Sequence, residues 1–122
     1  MFEITVETHF CAAHYLRDYE GDCSRMHGHN FSVVVTVAGE HLQPNGILID
    51  FKELKKVVEN HTAQFDHRVM NEVPPFDEIN PTVENVARWL YEVLSKDLGK
   101  KNLMVSRVEV KETERYRAAY IP

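Results

Sequence analysis

The sequence predicts an α+β domain, an antiparallel sheet in the order ββααββ with two helices on one of its faces. Two observations predict it. Apolar and polar residues alternate with period two at both ends of the chain, and between those ends lie two stretches whose apolar residues recur at helical spacing. At 122 residues the chain suits a single domain spanning 1–122, and no composition shift marks a linker.

From Phe2 to Phe10, the residues Phe2, Ile4, Val6, Thr8 and Phe10 fall on one side and Glu3, Thr5, Glu7 and His9 on the other, the pattern of a half-buried strand. A charged, irregular stretch from about Arg17 to Arg25 follows. Phe31 to Ala38 repeats the alternation, with Phe31, Val33, Val35 and Val37 on one face, and Gly39 ends it. Asp50 with Glu53 resembles a capping box, and Phe51, Leu54, Val57 and Val58 then predict a helix over 51–62. Pro74 and Pro75 mark a loop. Thr82 is placed to cap a second helix through Val83, Val86, Ala87, Leu90 and Leu94, with Gly99 as its C-terminal stop. Leu103–Thr113 alternates again, and Arg117–Ile121 is the last strand. Four strands leave two sheet edges open, which predicts assembly of strands between subunits into a ring or barrel.

Composition narrows the function. A net charge of −5 and no basic stripe exclude a typical nucleic-acid binder. No run reaches membrane-spanning length and the first ten residues lack the features of a signal peptide, so the expectation is a cytoplasmic protein with no membrane partner. In a reducing compartment Cys11 and Cys23 are expected as free thiols. Seven histidines exceed what packing needs and direct attention to metal chemistry.

His27-Gly28-His29 places two imidazoles two residues apart, on one side of an extended chain and in phase with Phe31, Val33 and Val35. A hairpin between the first two strands would bring His14 alongside. Three histidines leave one tetrahedral position open, as catalytic zinc requires. An isolated histidine is more often a surface or capping residue, the reading given to His9, His41 and His61. The pair alone suits either reading, and His14 tips the balance to metal. Cys23 stands four residues before His27, where a metal cation would favour the thiolate as a base; it could equally be a fourth zinc ligand closing a structural site, or an inert buried thiol. Cys11 has no such company and reads as structural. Asp66-His67 is a candidate acid/base pair. Glu112 shares the face of Val108 and Val110, where a carboxylate needs either an internal ion pair or a ligand with paired N–H donors.

Phe10-Cys11-Ala12-Ala13-His14, Cys23 to Asn30, Gly46 to Phe51, Phe65-Asp66-His67, Asn80 to Asn85 and Val110 to Thr113 resemble, in order, the motifs of the 6-pyruvoyl-tetrahydropterin synthase family. The resemblance runs the length of the chain. It implies the T-fold (tunnelling fold), with ββααββ subunits joined into a barrel, usually as a dimer of trimers, and active sites between subunits. By position it implies Zn²⁺ held by His14, His27 and His29, Cys23 as catalytic thiol, Asp66 and His67 as acid/base partners, and Glu112 as the pterin anchor. Cys11, and Arg68 where some relatives carry a second histidine, depart from the pattern.

The spacing before His-Gly-His separates activities within the family. Here Ser24, Arg25 and Met26 stand between Cys23 and His27, the short gap usual in the 6-carboxy-tetrahydropterin synthases of queuosine biosynthesis, whereas the pyruvoyl-forming enzymes usually have a longer one. A third branch, which cleaves dihydroneopterin, typically has glutamate in place of the cysteine. The resemblance therefore implies a lyase acting on 7,8-dihydroneopterin triphosphate. The pyruvoyl-forming activity is the alternative, and a structural zinc or binding module the non-enzymatic one. A triphosphate needs positive charge, yet no glycine-rich phosphate loop is present; zinc, Arg25 and a neighbouring subunit are the candidate sources.

Overall fold

The computed structural model describes all 122 residues. A five-stranded sheet is ordered β3-β1-β2-β4-β5, from β1 (Phe2–His14), β2 (His27–Gly39), β3 (Arg68–Val69), β4 (Met104–Lys111) and β5 (Arg117–Tyr120). The helices α1 (Phe51–Thr62) and α2 (Val83–Gly99) lie between β2 and β4 in sequence. Both cover one face of the sheet, because Leu54 and Val58 of α1 and Val86, Leu90, Leu94 and Leu98 of α2 share a single core with Phe31, Val33, Val35, Val37, Val108 and Val110. Each of these side chains contributes roughly 1.5–3 kcal/mol by burial. No helix is long and apolar enough to cross a membrane.

The α+β architecture is as predicted, with two amendments. A short strand, β3, follows α1 and pairs parallel with β1 at Ala12 and Ala13, so the order is ββαβαββ and the sheet is not wholly antiparallel. Two residues are too few to show a period, which is why the pattern misses it. Both strands of the first hairpin also run further than alternation indicated, to His14 and from His27, through Ala12, Ala13 and Gly28, which carry little hydrophobic signal. This extension places the histidines on regular strand rather than in loop.

Capping is partly as expected. Thr82 Oγ1 accepts from the Asn85 amide at 3.1 Å and starts α2. Asp50 accepts from Lys52 N at 2.7 Å, while Glu53 turns away to pair with Lys101 at 2.8 Å, so no reciprocal capping box forms. Phe51, expected on the buried stripe, is exposed at the first position of α1. At the end of α2 the left-handed residue is Asn102 (φ 59°) rather than Gly99, and Leu103 N closes the turn by donating to Leu98 O. Asparagine tolerates that conformation better than most residues.

Candidate metal centre and active site

The β1–β2 register builds the centre. His14 lies directly opposite His27, and Ala12 opposite His29, so the two strands end in three imidazoles on the core side of the sheet. One ring nitrogen from each lies within 4.8 Å of the other two, a spacing from which a single ion could be held. Phe31 packs edge-on against His14 and His29 and walls the cluster from the core.

Hydrogen bonds orient the rings. His14 Nδ1–H donates to the Pro81 carbonyl at 2.8 Å and His27 Nδ1–H to the Arg25 carbonyl at 2.7 Å. A carbonyl only accepts, so both rings carry a proton on Nδ1, which leaves Nε2 as the atom that offers a lone pair in the neutral ring. His14 Nε2 and His29 Nε2 are buried without a hydrogen-bond partner. An orphaned buried polar atom costs about 1–3 kcal/mol, and a metal ion would satisfy both at once. Burial pushes the His14 imidazole below its ordinary pKa, opposed by the Pro81 bond and the Glu112 charge, with the neighbouring histidines adding to the fall. Burial does the same to His29, again opposed by Glu112. Neutral imidazole is the form that binds metal.

Glu112 follows the last residue of β4, and its carboxylate faces the centre, 3.6 Å from His14 Nε2 and 3.8 Å from His29 Nε2. The carboxylate that parity placed on the core side thus faces the histidine cluster without a hydrogen bond to it. Cys23 sits in a single 3-10 turn, Asp22–Ser24, and lines a cavity of about 290 Å³ together with His27, His29, Glu112 and Tyr116. The thiol, two imidazoles and the carboxylate therefore share one space.

Asp66 and His67 lie elsewhere. Asp66 Oδ1 accepts from Cys11 N at 2.9 Å and His67 N donates to Cys11 O at 2.6 Å, which fastens the pair to the outer edge of β1. The His67 side chain is 80% exposed, and its Nε2 is 3.8 Å from Asp66 Oδ2, beyond hydrogen-bond range. It lines a different cavity, of about 490 Å³, with Cys11, Asn30 and Arg68; His29 borders both. Within one chain Cys23 and His67 do not share a cavity. Cys11, read from the sequence as structural, is exposed, and its Sγ–H donates to Asn30 Oδ1 at 2.8 Å. Sequence reasoning also missed the Pro81 and Arg25 carbonyls, since no residue type signals what a backbone oxygen accepts.

The chain matches the model of the family described as 6-pyruvoyl tetrahydropterin synthase over residues 3–122. A 6-carboxy-5,6,7,8-tetrahydropterin synthase of Bacillus subtilis is 38% identical over 96 residues, covering 75% of this chain and 64% of that protein, so the match spans just under two thirds of that relative's length. A dihydroneopterin monophosphate aldolase of Pyrococcus furiosus is 40% identical over 89 residues, 73% of this chain and 71% of the other. The solved structure of Caenorhabditis elegans 6-pyruvoyl tetrahydropterin synthase superposes with a TM-score of 0.85 at 28% identity, covering 100% of this chain and 97% of that one. These three relatives carry three different activity names. With its T-fold architecture and a family match over almost every residue, the chain belongs to the 6-pyruvoyl tetrahydropterin synthase family.

Proposed function

We propose that the protein is a zinc-dependent lyase that converts 7,8-dihydroneopterin triphosphate and one water to 6-carboxy-5,6,7,8-tetrahydropterin with release of acetaldehyde and triphosphate, in queuosine (7-deazaguanine) biosynthesis. The observation that carries this reading is Cys23, separated from His27 by three residues in sequence and sharing a cavity with His27, His29 and Glu112. The name of the Bacillus relative supports it. Cysteine rather than glutamate at position 23 sets the chain apart from the dihydroneopterin-cleaving branch.

His14, His27 and His29 would hold the zinc, which supplies Lewis acidity toward the hydroxyls of the substrate side chain. Three protein ligands leave a position for substrate. Cys23, as thiolate, removes the proton from the side-chain carbon next to the ring. Glu112 accepts the two N–H donors of the amino-pyrimidine edge and sets the ring in register. Internal tautomerisation reduces the ring at the expense of the side chain, so no nicotinamide is required.

His67, with Asp66 beside it, moves the compensating proton. Its exposure and its separate cavity support a site completed between subunits, where one subunit's His67 serves its neighbour's Cys23. Since β3 covers β1 only at Ala12 and Ala13, the rest of that edge is open to another strand, which supports a homo-oligomeric barrel, a dimer of trimers. One continuous core supports a single domain over 1–122, and two free thiols suit the cytoplasm.

Mass analysis of the products formed from 7,8-dihydroneopterin triphosphate tests the reading. Acetaldehyde with a carboxylated pterin is expected. A pyruvoyl pterin would assign the alternative branch. Cys23→Ala should retain zinc and fold while losing turnover, and loss of zinc on that substitution would instead make Cys23 a ligand in a closed structural site.

A further inference from the structure

The stretch that joins β1 to the Cys23 turn is held in an unusual way. Tyr15-Leu16-Arg17 continues beyond β1, and its backbone groups alternate sides as in an extended strand. On one side no strand is present, and two asparagine side chains take its place. Asn71 Oδ1 accepts from Tyr15 N at 3.0 Å while its Nδ2 donates to Tyr15 O at 2.9 Å. Asn80 Oδ1 accepts from Arg17 N at 2.9 Å while its Nδ2 donates to Arg17 O at 3.1 Å. Each amide offers the donor and acceptor that a neighbouring strand would supply. On the opposite side, Leu16 N donates to the carbonyl of Cys23 at 2.8 Å.

The same loop reaches the metal ligands. Thr82 N and Asn85 Nδ2 donate to Asn80 O at 2.8 and 2.9 Å, which fixes the turn whose next carbonyl, Pro81 O, accepts from His14 Nδ1. Arg17 holds the loop from the other end: its Nη2 donates to Phe76 O at 2.8 Å, with longer contacts to the carbonyls of Asn71 and Asp77. It has no carboxylate partner among the ion pairs, so its charge is spent on loop carbonyls.

We propose that Asn71, Asn80 and Arg17 are positioning residues, a clamp that sets Cys23 through Leu16 and His14 through Pro81 at one fixed separation. The proposal rests on the reading of His14 as a metal ligand and Cys23 as the working thiol. It assigns a role to the Asn80-Pro81 motif and to Arg17, which the chemistry alone leaves unexplained.

The test uses the full chain with Cys11→Ser, so that Cys23 is the only thiol. Zinc affinity is measured by chelator competition, and the rate of Cys23 alkylation by iodoacetamide is followed by mass on metal-free protein. Asn80→Ala is expected to weaken zinc about tenfold or more, the usual cost of losing a group that orients a ligand, and to speed alkylation several-fold, with the circular dichroism spectrum retained. Val58→Ala, a core truncation away from the site, supplies the comparison for general destabilisation. A folded Asn80→Ala protein whose affinity and alkylation rate shift no more than those of Val58→Ala would overturn the proposal. If Asn80→Ala does not fold, Asn71→Ser and Arg17→Lys are read by the same two measurements and the same criterion. If the unsubstituted protein takes no zinc, the metal reading fails, and the alkylation rate still decides the clamp.

Discussion

Zinc should raise the melting temperature of the metal-free protein, and His29→Ala should abolish that response. A ligand that binds only the folded state adds RT ln(1 + [L]/Kd), about 2.7 kcal/mol when free zinc is a hundredfold above its dissociation constant. For a 122-residue chain the unfolding entropy near the midpoint is about 0.26 kcal/mol/K. The expected shift is therefore about 10 °C. His29 is the informative ligand to remove because its Nε2 is buried without a hydrogen-bond partner, so truncating it in the absence of zinc sacrifices ring packing and no paired polar group. That loss is expected to be about 1 kcal/mol, or roughly 4 °C. His14 would be a poorer choice, since it is fully buried and its Nδ1–H is bonded to Pro81 O. Differential scanning fluorimetry of both proteins, stripped with chelator and titrated with zinc, reads all four states. If the unsubstituted protein shows no zinc-dependent shift, or His29→Ala shows the same one, the three-histidine centre is refuted.

Burial lowers the pKa of His14 and His29 below the ordinary value of about 6.5. As pH falls through that value the unfolded chain takes up protons before the folded one does, so metal-free stability is full above about pH 6.5 and declines below it. Thermal unfolding across that range should show the decline, and a flat profile would contradict it. Glu112→Gln loses a charged, two-donor acceptor worth about 2 kcal/mol, and kcat/KM in the product assay should fall roughly thirtyfold; a change under about twofold would remove Glu112 from the binding site. Thr82→Ala deletes the α2 cap and should lower stability by about 1 kcal/mol, seen as about 4 °C in thermal unfolding.

Much of this molecule follows from local sequence. Alternation placed β2 because Phe31, Val33, Val35 and Val37 face the core along regular strand, and helical spacing placed α2 because Val86, Ala87, Leu90 and Leu94 lie on its buried stripe. The spacing of His27 and His29, two residues apart on one strand, put both rings on one side before any partner was known. Motif order identified the family for the same reason: ligand types and short spacings are local properties of the chain.

Long-range pairing decided the rest. The register that sets His14 opposite His27 depends on the whole β1–β2 hairpin. Strand β3 exists only because Arg68 and Val69 reach the edge of β1, and Asp66 and His67 are held there by the Cys11 backbone. Period-two logic put Glu112 on the core face, but its position against two orphaned imidazole nitrogens comes from packing β4 beside β2. The bonds that orient the ligands end on the carbonyls of Pro81 and Arg25. Sequence specifies side chains at short range, and these features are made by backbone atoms and edges brought together from distant parts of the chain, so only the folded structure fixes them.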